Sequence, residues 1–402
     1  MQAPRHTTNR GRDTPLAVTT GLAIQLLLLV PVVGGTVYGL LCMVATALFS
    51  RRVRSNRVSQ ANSFPPATIL KPIYGLEKSL EANVRSACRQ DYPDYQVVLS
   101  AQRRDDPALP LMQTIARDFG PERVTVAVEQ SEPVVNGKMQ NLCIGLRAAR
   151  HEVLVTSDSD MRLPPDFLRA IVAPLRDPQV GCVCTLYRAV DAGTWYEKLE
   201  LLSLNADFVV NLVFAEMTGA SMFCLGSSSA LRRATLEEIG GFEALSDYLV
   251  EDFELGRRIR ALGRRLELVP YLVDTVVSLE SARQWWDHQL YWDLNTRFAR
   301  PKGFFATVLL KSVPFSVLFA AARGFDSTGA LVFVGALAAR LASTAWNLAM
   351  IGDREGLRSL GLLPLRDLTG LVTWMLALTR QRVVWRGVRF GLTREGRIVR
   401  EA

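Results

Sequence analysis

Histidine is nearly absent, with three residues in a chain of 402. The six cysteines (42, 88, 143, 182, 184 and 224) contain no C-x-x-C pair. Together these exclude the usual Cys/His zinc patterns, and the cysteines read as reduced thiols of a cytoplasmic domain. No G-x-G-x-x-G and no G-x-x-x-x-G-K-[ST] occurs, so neither a dinucleotide fingerprint nor a P-loop is supported. No internal repeat or low-complexity tract stands out. Charged residues make up only 21% of the chain, below the ~25% of soluble proteins. From Leu16 to Ser50 there is no charge at all. The composition excludes a disordered chain, a coiled coil and a disulfide miniprotein, and points to a membrane protein with a sizeable polar part.

The uncharged stretch exceeds a hydrocarbon core about 30 Å thick. It reads as one long tilted helix or a helix bent near Pro31, Gly34 and Gly35. A signal peptide is the weaker reading. Arg5, Arg10 and Arg12 resemble its basic start, but the apolar run is too long, and Arg51, Arg52, Arg54 and Arg57 follow it. Three more apolar segments lie at 303–322, 327–352 and 359–379, carrying Lys311, Arg340, and Arg366 with Asp367. Two crossings are expected, with 303–322 interfacial or re-entrant. Seven arginines against Glu395 in residues 380–400 suit an anionic membrane surface better than nucleic acid. The organisation is therefore a tail and membrane segment over 1–58, a polar domain over 59–302, membrane helices over 303–379 and a basic cytoplasmic tail over 380–402.

The polar domain alternates short β-branched runs with helical patterns. Strands are expected at Ala67–Leu70, Gln96–Ala101, Val124–Val128, Glu152–Thr156, Gly181–Leu186 and Leu268–Val277. Helices are expected over 77–90, 108–119, 137–149, 165–176, 195–216 and 251–262. This α/β order predicts a mostly parallel sheet covered on both faces, with ligands beyond the carboxyl ends of its strands.

Four constellations carry chemistry. An apolar strand runs into Asp158-Ser159-Asp160, whose carboxylates could share a hard cation or divide between metal and ribose. Glu251-Asp252 stands at a helix start, where a carboxylate can serve as general base. Arg283-Gln284-Trp285-Trp286-Asp287-His288-Gln289-Leu290-Tyr291-Trp292, with Arg297 beyond, could clamp a diphosphate. Gly226-Ser227-Ser228-Ser229, followed by Arg232-Arg233 and Gly240-Gly241-Phe242, permits close backbone approach to a ligand. Singly, each also reads as an acidic turn, a charged helix start, an aromatic membrane belt or a tight loop.

Their order is more specific. Leu70-Lys71-Pro72-Ile73-Tyr74-Gly75-Leu76-Glu77, Asp91-Tyr92-Pro93, Asp105-Asp106-Pro107, Asn136-Gly137-Lys138, Asp158-Ser159-Asp160, Cys224-Leu225-Gly226-Ser227, Gly240-Gly241-Phe242, Glu251-Asp252 and Trp385-Arg386-Gly387 follow one another. With this order the chain resembles the ceramide glucosyltransferase family of inverting GT-A glycosyltransferases, and within it the bacterial branch linked to hopanoid biosynthesis. The resemblance implies a membrane-bound enzyme moving one sugar, glucose or N-acetylglucosamine, from a UDP-sugar to a lipid hydroxyl such as that of a hopanoid polyol or ceramide. It also implies Mg2+ or Mn2+ as cofactor and a bacterial inner-membrane location with the catalytic domain cytoplasmic. By the same resemblance Asp158 and Asp160 hold ribose and metal, and Lys71, Pro72 and Lys138 line the uridine side. Asp252 deprotonates the acceptor beside Glu251. Gly226, Ser227 and His288 contact substrate, and Trp292 and Arg297 sit over the diphosphate. Two positions depart from the pattern. Arg103 replaces an aspartate, leaving Asp105 nearest, and Tyr291 replaces an arginine, leaving Arg297 or Arg300 to supply charge. These departures motivate one alternative, a non-catalytic nucleotide-sugar or lipid binder; a polysaccharide synthase is the other.

Overall fold

The computed structural model of the protein describes residues 15–55, 64–130, 136–219, 224–380, 382–385, 388–393 and 397–400. Arg5, Arg10, Arg12, Arg57, Arg386, Gly387 and Glu395, singled out above, lie outside the described residues.

A helix α1 (Pro15–Ser55) leads into β1 (Ala67–Pro72), α2 (Leu80–Ala87), β2 (Tyr95–Ala101), α3 (Leu109–Phe119), β3 (Val124–Val128), α4 (Gly137–Ala148) and β4 (Val153–Ser157). The chain continues through β5 (Met161–Arg162), α5 (Phe167–Val172), β6 (Val180–Val190), α6 (Trp195–Ser203), α7 (Val209–Met217), β7 (Ser228–Arg232) and α8 (Arg233–Glu238). After α9 (Glu251–Ala261) and β8 (Arg265–Val276) come α10 (Ala282–Ala299), α11 (Pro301–Ala306), α12 (Ser312–Ala322), α13 (Ser327–Met350), α14 (Arg354–Arg358) and α15 (Leu363–Thr379). Three short antiparallel strands, β9 (Arg382–Trp385), β10 (Val388–Leu392) and β11 (Ile398–Arg400), follow.

Eight strands form one sheet in the order β3-β2-β1-β4-β7-β6-β8-β5. The half from β3 to β4 is parallel. Strands β1, β2 and β4 are buried along their whole length, as strands covered on both faces must be. The other half is mixed: β7 runs antiparallel to both β4 and β6, and β5 antiparallel to β8, while β8 runs parallel to β6. The sheet is thus a mixed α/β sheet of the GT-A kind.

Besides the three C-terminal strands, two strands of the eight-stranded sheet differ from the sequence expectation. Ser228-Ser229, read as part of a loop, opens β7. Its small residues have low strand propensity, but β4 and β6 hydrogen-bond it from both sides, and pairing overrides propensity. Strand β5 is too short to show alternation. The helix expected over 195–216 is interrupted by a π-turn at Leu204–Phe208, a feature common at functional sites.

On the apolar side α1 is one continuous helix that includes Pro31. Leu22, Leu26, Leu27, Val33, Leu40 and Val44 on it are exposed. Gly21–Ser55, Ser327–Met350 and Leu360–Thr379 are long and apolar enough to cross a membrane. Pro301–Leu310 and Ser312–Ala322 form a pair bent by 56° at Lys311, where the sequence suggested an interfacial or re-entrant segment. Gly34 and Gly35 make room for the carbonyls of Leu309 and Leu310 at that break; a Cβ would lie 2.8 and 2.6 Å from their oxygens. The charges of these segments are partnered. Lys311 donates to Gly370 O at 2.9 Å. Arg340 pairs with Asp207 at 2.7 Å and with Asp367 at 2.9 Å, and Arg366 pairs with the same two carboxylates. In the C-terminal segment Arg397 bridges to Tyr248 and lies 5.4 Å from its ring centre.

Candidate active site

Strand β4 carries the acidic pair to the carboxyl edge of the sheet. Beyond Ser157 the chain turns back, with Asp158 N donating to Ser227 O at 3.1 Å and Met161 N to Asp158 O at 3.1 Å. Lys138, in the first turn of α4, meets Asp158 at 2.8 Å, Gly226 O at 3.1 Å and Glu251 at 3.6 Å. Asn136 caps that helix by accepting from Met139 N, which sets its first turn against the pair. Burial opposes the Lys138 charge, but Asp158 and Glu251 more than offset it and raise the pKa.

Asp160 accepts from Thr275 Oγ1 at 2.9 Å through one oxygen. Its other oxygen, Oδ1, is buried without a hydrogen-bond partner. Burial, then the neighbouring Asp158 charge, pushes the Asp160 pKa up to about 6. A buried orphaned oxygen is costly. Beside a second carboxylate it is the environment that a hard, oxygen-preferring cation relieves, so these donors fit Mg2+ or Mn2+.

Asp252 enters from the first turn of α9. Its Oδ2 accepts from Gly226 N at 3.1 Å and its Oδ1 from Phe253 N at 2.7 Å. Burial and Glu251 push its pKa up to about 7, while Lys138 and the two N–H donors pull it down. That is the range in which a carboxylate is a useful base at neutral pH. Gly226 permits this approach: a Cβ there would stand 3.2 Å from Asp252 Cβ and 3.3 Å from Lys138 Nζ.

His288, Tyr291 and Trp292 share one face of α10, at i, i+3 and i+4. Trp292 Nε1 donates to His288 Nε2 at 2.8 Å, and His288 Nδ1 faces Glu200 at 2.7 Å. Glu200 is buried and also accepts from Gln289 Nε2. Phe208, on the π-turn, meets Trp292 edge to face at 5.1 Å.

A cavity of about 2250 Å³ unites these groups. It is lined by Pro72, Asp105, Lys138, Asp158, Asp160, Gly226, Ser227, Glu251, Asp252, His288, Tyr291 and Trp292. The same cavity is lined by Tyr38 of α1, Asn211 and Phe214 of α7, and Leu310 beside the helix break. Tyr38 donates to Asn211 Oδ1 at 2.8 Å.

Three expectations need correction. Lys71 does not line the cavity. It is fully buried under the acidic turn, donating to Asp158 O at 2.8 Å, Met161 O at 3.1 Å and Ser157 Oγ at 3.2 Å, and burial pushes its pKa down to about 8. Arg297 does not face the cavity either. It donates to Ala377 O and Arg380 O, where a cation satisfies the last carbonyls of α15; Arg300 lines the cavity instead. Asp105 is at the cavity but paired with Arg103 at 2.6 Å, while Asp106 accepts from Gly75 N and Ala108 N. Glu77, which ends the Leu70–Glu77 motif, also lines the cavity and accepts from Ser159 Oγ at 2.5 Å. Glu200, Phe208 and Thr275 carry no local signal: each supports or lines the site from an ordinary helix, loop or strand position.

The sequence model of glycosyl transferase family 21 matches residues 27–398. Ceramide glucosyltransferase 1 of Caenorhabditis elegans is 22% identical over 210 residues, 52% of this chain and 45% of that one. An N-acetylglucosaminyltransferase of Rhizobium meliloti is 25% identical over 252 residues, 59% of this chain and 57% of that one. The chain spans about half the length of these curated relatives. Among solved structures, a mannosyltransferase from Pyrobaculum calidifontis in complex with GDP-Man and Mn2+ is similar in fold. It has a TM-score of 0.51 at 20% identity, covering 88% of this chain and 99% of that one.

Proposed function

The chain belongs to glycosyl transferase family 21, and from that premise we propose that it moves one sugar from a UDP-sugar to a lipid hydroxyl at a membrane surface. The observation that carries the reading is the single cavity lined both by the acidic pair and Asp252 and by residues of the apolar helices. Its volume of about 2250 Å³ exceeds the 300–1,000 Å³ or so of a one-ligand pocket, and suits a donor and an acceptor together. The relatives named above include a ceramide glucosyltransferase and an N-acetylglucosaminyltransferase, so glucose and N-acetylglucosamine are the donor sugars to test. A ceramide or a hopanoid polyol would present its hydroxyl from the bilayer of the cell's inner membrane, with the catalytic domain on the cytoplasmic side.

Asp158 and Asp160 would hold Mg2+ or Mn2+, which when bound supplies charge to stabilise the departing diphosphate. Asp252 takes the proton of the acceptor hydroxyl as its oxygen attacks the anomeric carbon. The bond to the diphosphate breaks on the opposite face, so the product is inverted and no covalent nucleophile is required. Gly226 N–H orients the base, and Lys138 holds Asp158 and Glu251 in register with it. Pro72 and Lys138 bound the nucleotide side, and Ser227, His288 and Trp292 bound the sugar and diphosphate side. The cavity-lining Arg300, rather than Arg297, supplies positive charge beside the diphosphate.

The test incubates membranes bearing the protein, or its Asp252→Asn variant, with radiolabelled UDP-glucose or UDP-N-acetylglucosamine and hopanoid, ceramide or diacylglycerol acceptors. A labelled lipid that disappears with the variant is expected. Retained UDP binding without any labelled product would overturn transfer in favour of a binding role, and a high-molecular-weight product would indicate a polymerase.

A further inference from the structure

Away from the acidic pair, three of the six cysteines converge. Cys182 and Cys184 are alternate residues of β6, so they share one face of the sheet. Cys224 approaches them just before Leu225-Gly226-Ser227 leads into β7. All three are free thiols and buried, and their sulfurs lie within 4.8 Å of one another. The Cys182 and Cys184 sulfurs are 4.0 Å apart. Three thiolates each about 2.3 Å from a common metal stand about 4.0 Å apart in a trigonal plane and about 3.8 Å apart in a tetrahedron. The Cys182–Cys184 separation matches that of such a pair, and the third sulfur lies within reach of the same ion.

The surroundings agree. Leu225 N–H donates to Cys184 Sγ at 3.2 Å, the kind of outer hydrogen bond that orients metal ligands. Ser229, register-paired with Cys184 on β7, brings a hydroxyl to the same face of the sheet. No aspartate, glutamate or histidine joins the group among the described residues, so the donors are sulfur alone, which selects a soft cation.

We propose that Cys182, Cys184 and Cys224 bind one thiophilic ion, zinc(II) or copper(I), distinct from the hard-cation site at Asp158 and Asp160. Binding ties the segment ahead of Gly226-Ser227 to the centre of the sheet, and so braces the backbone that Asp252 and Lys138 contact. It requires no assumption about the sugar or the acceptor.

The full chain is purified in detergent without chelators from cells supplied with zinc and copper, and its metal content measured by mass spectrometry. About one equivalent of zinc or copper per chain is expected, with the element itself deciding between the two. Cys182→Ser and Cys224→Ser lose it, while Cys88→Ser and Cys143→Ser retain it. Because the site variants could fail to fold, X-ray absorption at the edge of the bound metal is recorded on the unaltered protein. A sulfur shell near about 2.3 Å is expected. A metal-free protein, a shell of oxygen or nitrogen only (zinc captured by Asp158 and Asp160), or occupancy unchanged in folded Cys224→Ser would each overturn the site and leave three packed thiols.

Discussion

Two half-buried charge clusters, one at the sheet edge and one that includes Asp207 of the π-turn at Leu204–Phe208, are built on opposite plans. At the sheet edge Asp158, Glu251 and Asp252 surround the ammonium of Lys138, and Asp160 lies beside Asp158 over the buried ammonium of Lys71, so four acids meet two lysines. One carboxylate oxygen is unpaired and two of the four acids have pKa values pushed up to about 6 and about 7. Against the apolar helices Arg340 and Arg366 face Asp207 and Asp367, with every carboxylate bonded to both guanidiniums. Two positive and two negative groups close a ring with charges in balance. A balanced buried ring holds elements together, whereas an unbalanced one is completed by something that binds. The difference in charge balance, more than any single residue, is what singles out the sheet edge as the proposed site.

The comparison can be broken from either side. At the unbalanced cluster, Asp252→Asn should lower turnover by about 10²–10⁴-fold, the usual worth of a general base. It removes one of four crowded acids, so the melting temperature should hold or rise; transfer assays and thermal denaturation together read both. At the balanced cluster, Asp207→Asn or Asp367→Asn leaves two half-buried guanidiniums sharing one carboxylate. Each should cost about 1–3 kcal/mol, below the loss expected when a buried charge keeps no partner, seen as lost melting temperature and yield with little specific effect on the chemical step. Sharpening comes from ligand and pH. Adding Mn2+ should raise the melting temperature of the unaltered protein, as ligands of the native state do, and not that of Asp160→Asn. Asp252 accepts a proton only when ionised and its pKa lies near 7, so kcat/KM should rise as pH increases through about 7 and level off above; a flat profile from pH 6 to 8 would remove Asp252 from the role. The smallest effect belongs to Gly226→Ala. The contacts of 3.2–3.4 Å around the added Cβ should cost roughly 1 kcal/mol of strain and appear mainly as a reduced kcat, because the crowding falls on Asp252 and Lys138.

Much of the site was legible in the sequence because its parts are local. Apolar Val153–Ser157 ending in Asp158-Ser159-Asp160 declares a buried strand with carboxylates at its exit, and Glu251-Asp252 lies at a helix start. Both pairs sit at the same end of the sheet. What was not legible depended on partners far along the chain. Lys71 stands in a motif beside Pro72, yet its ammonium turns under the Asp158 turn rather than into the cavity. Arg297 and Arg300 are three residues apart, and the end of α10 between them separates their surroundings: one reaches the last turn of α15, the other the cavity. Glu200 looks like any helical glutamate until His288 and Gln289, far along the chain on α10, close over it.

The sequence by itself determined the long uncharged helix, the alternation that makes an α/β sheet, and the placement of acids at a strand exit and a helix start. These follow from periodicity and from backbone preferences that act over a few residues. Only the tertiary structure decided that Ser228–Arg232 is a strand, that Lys71 is a support, and that Arg340 and Arg366 in apolar segments are neutralised by Asp207 and Asp367. Those outcomes rest on pairing and desolvation between residues distant in sequence. Their energies depend on how closely the charged atoms are brought together, which no local pattern specifies.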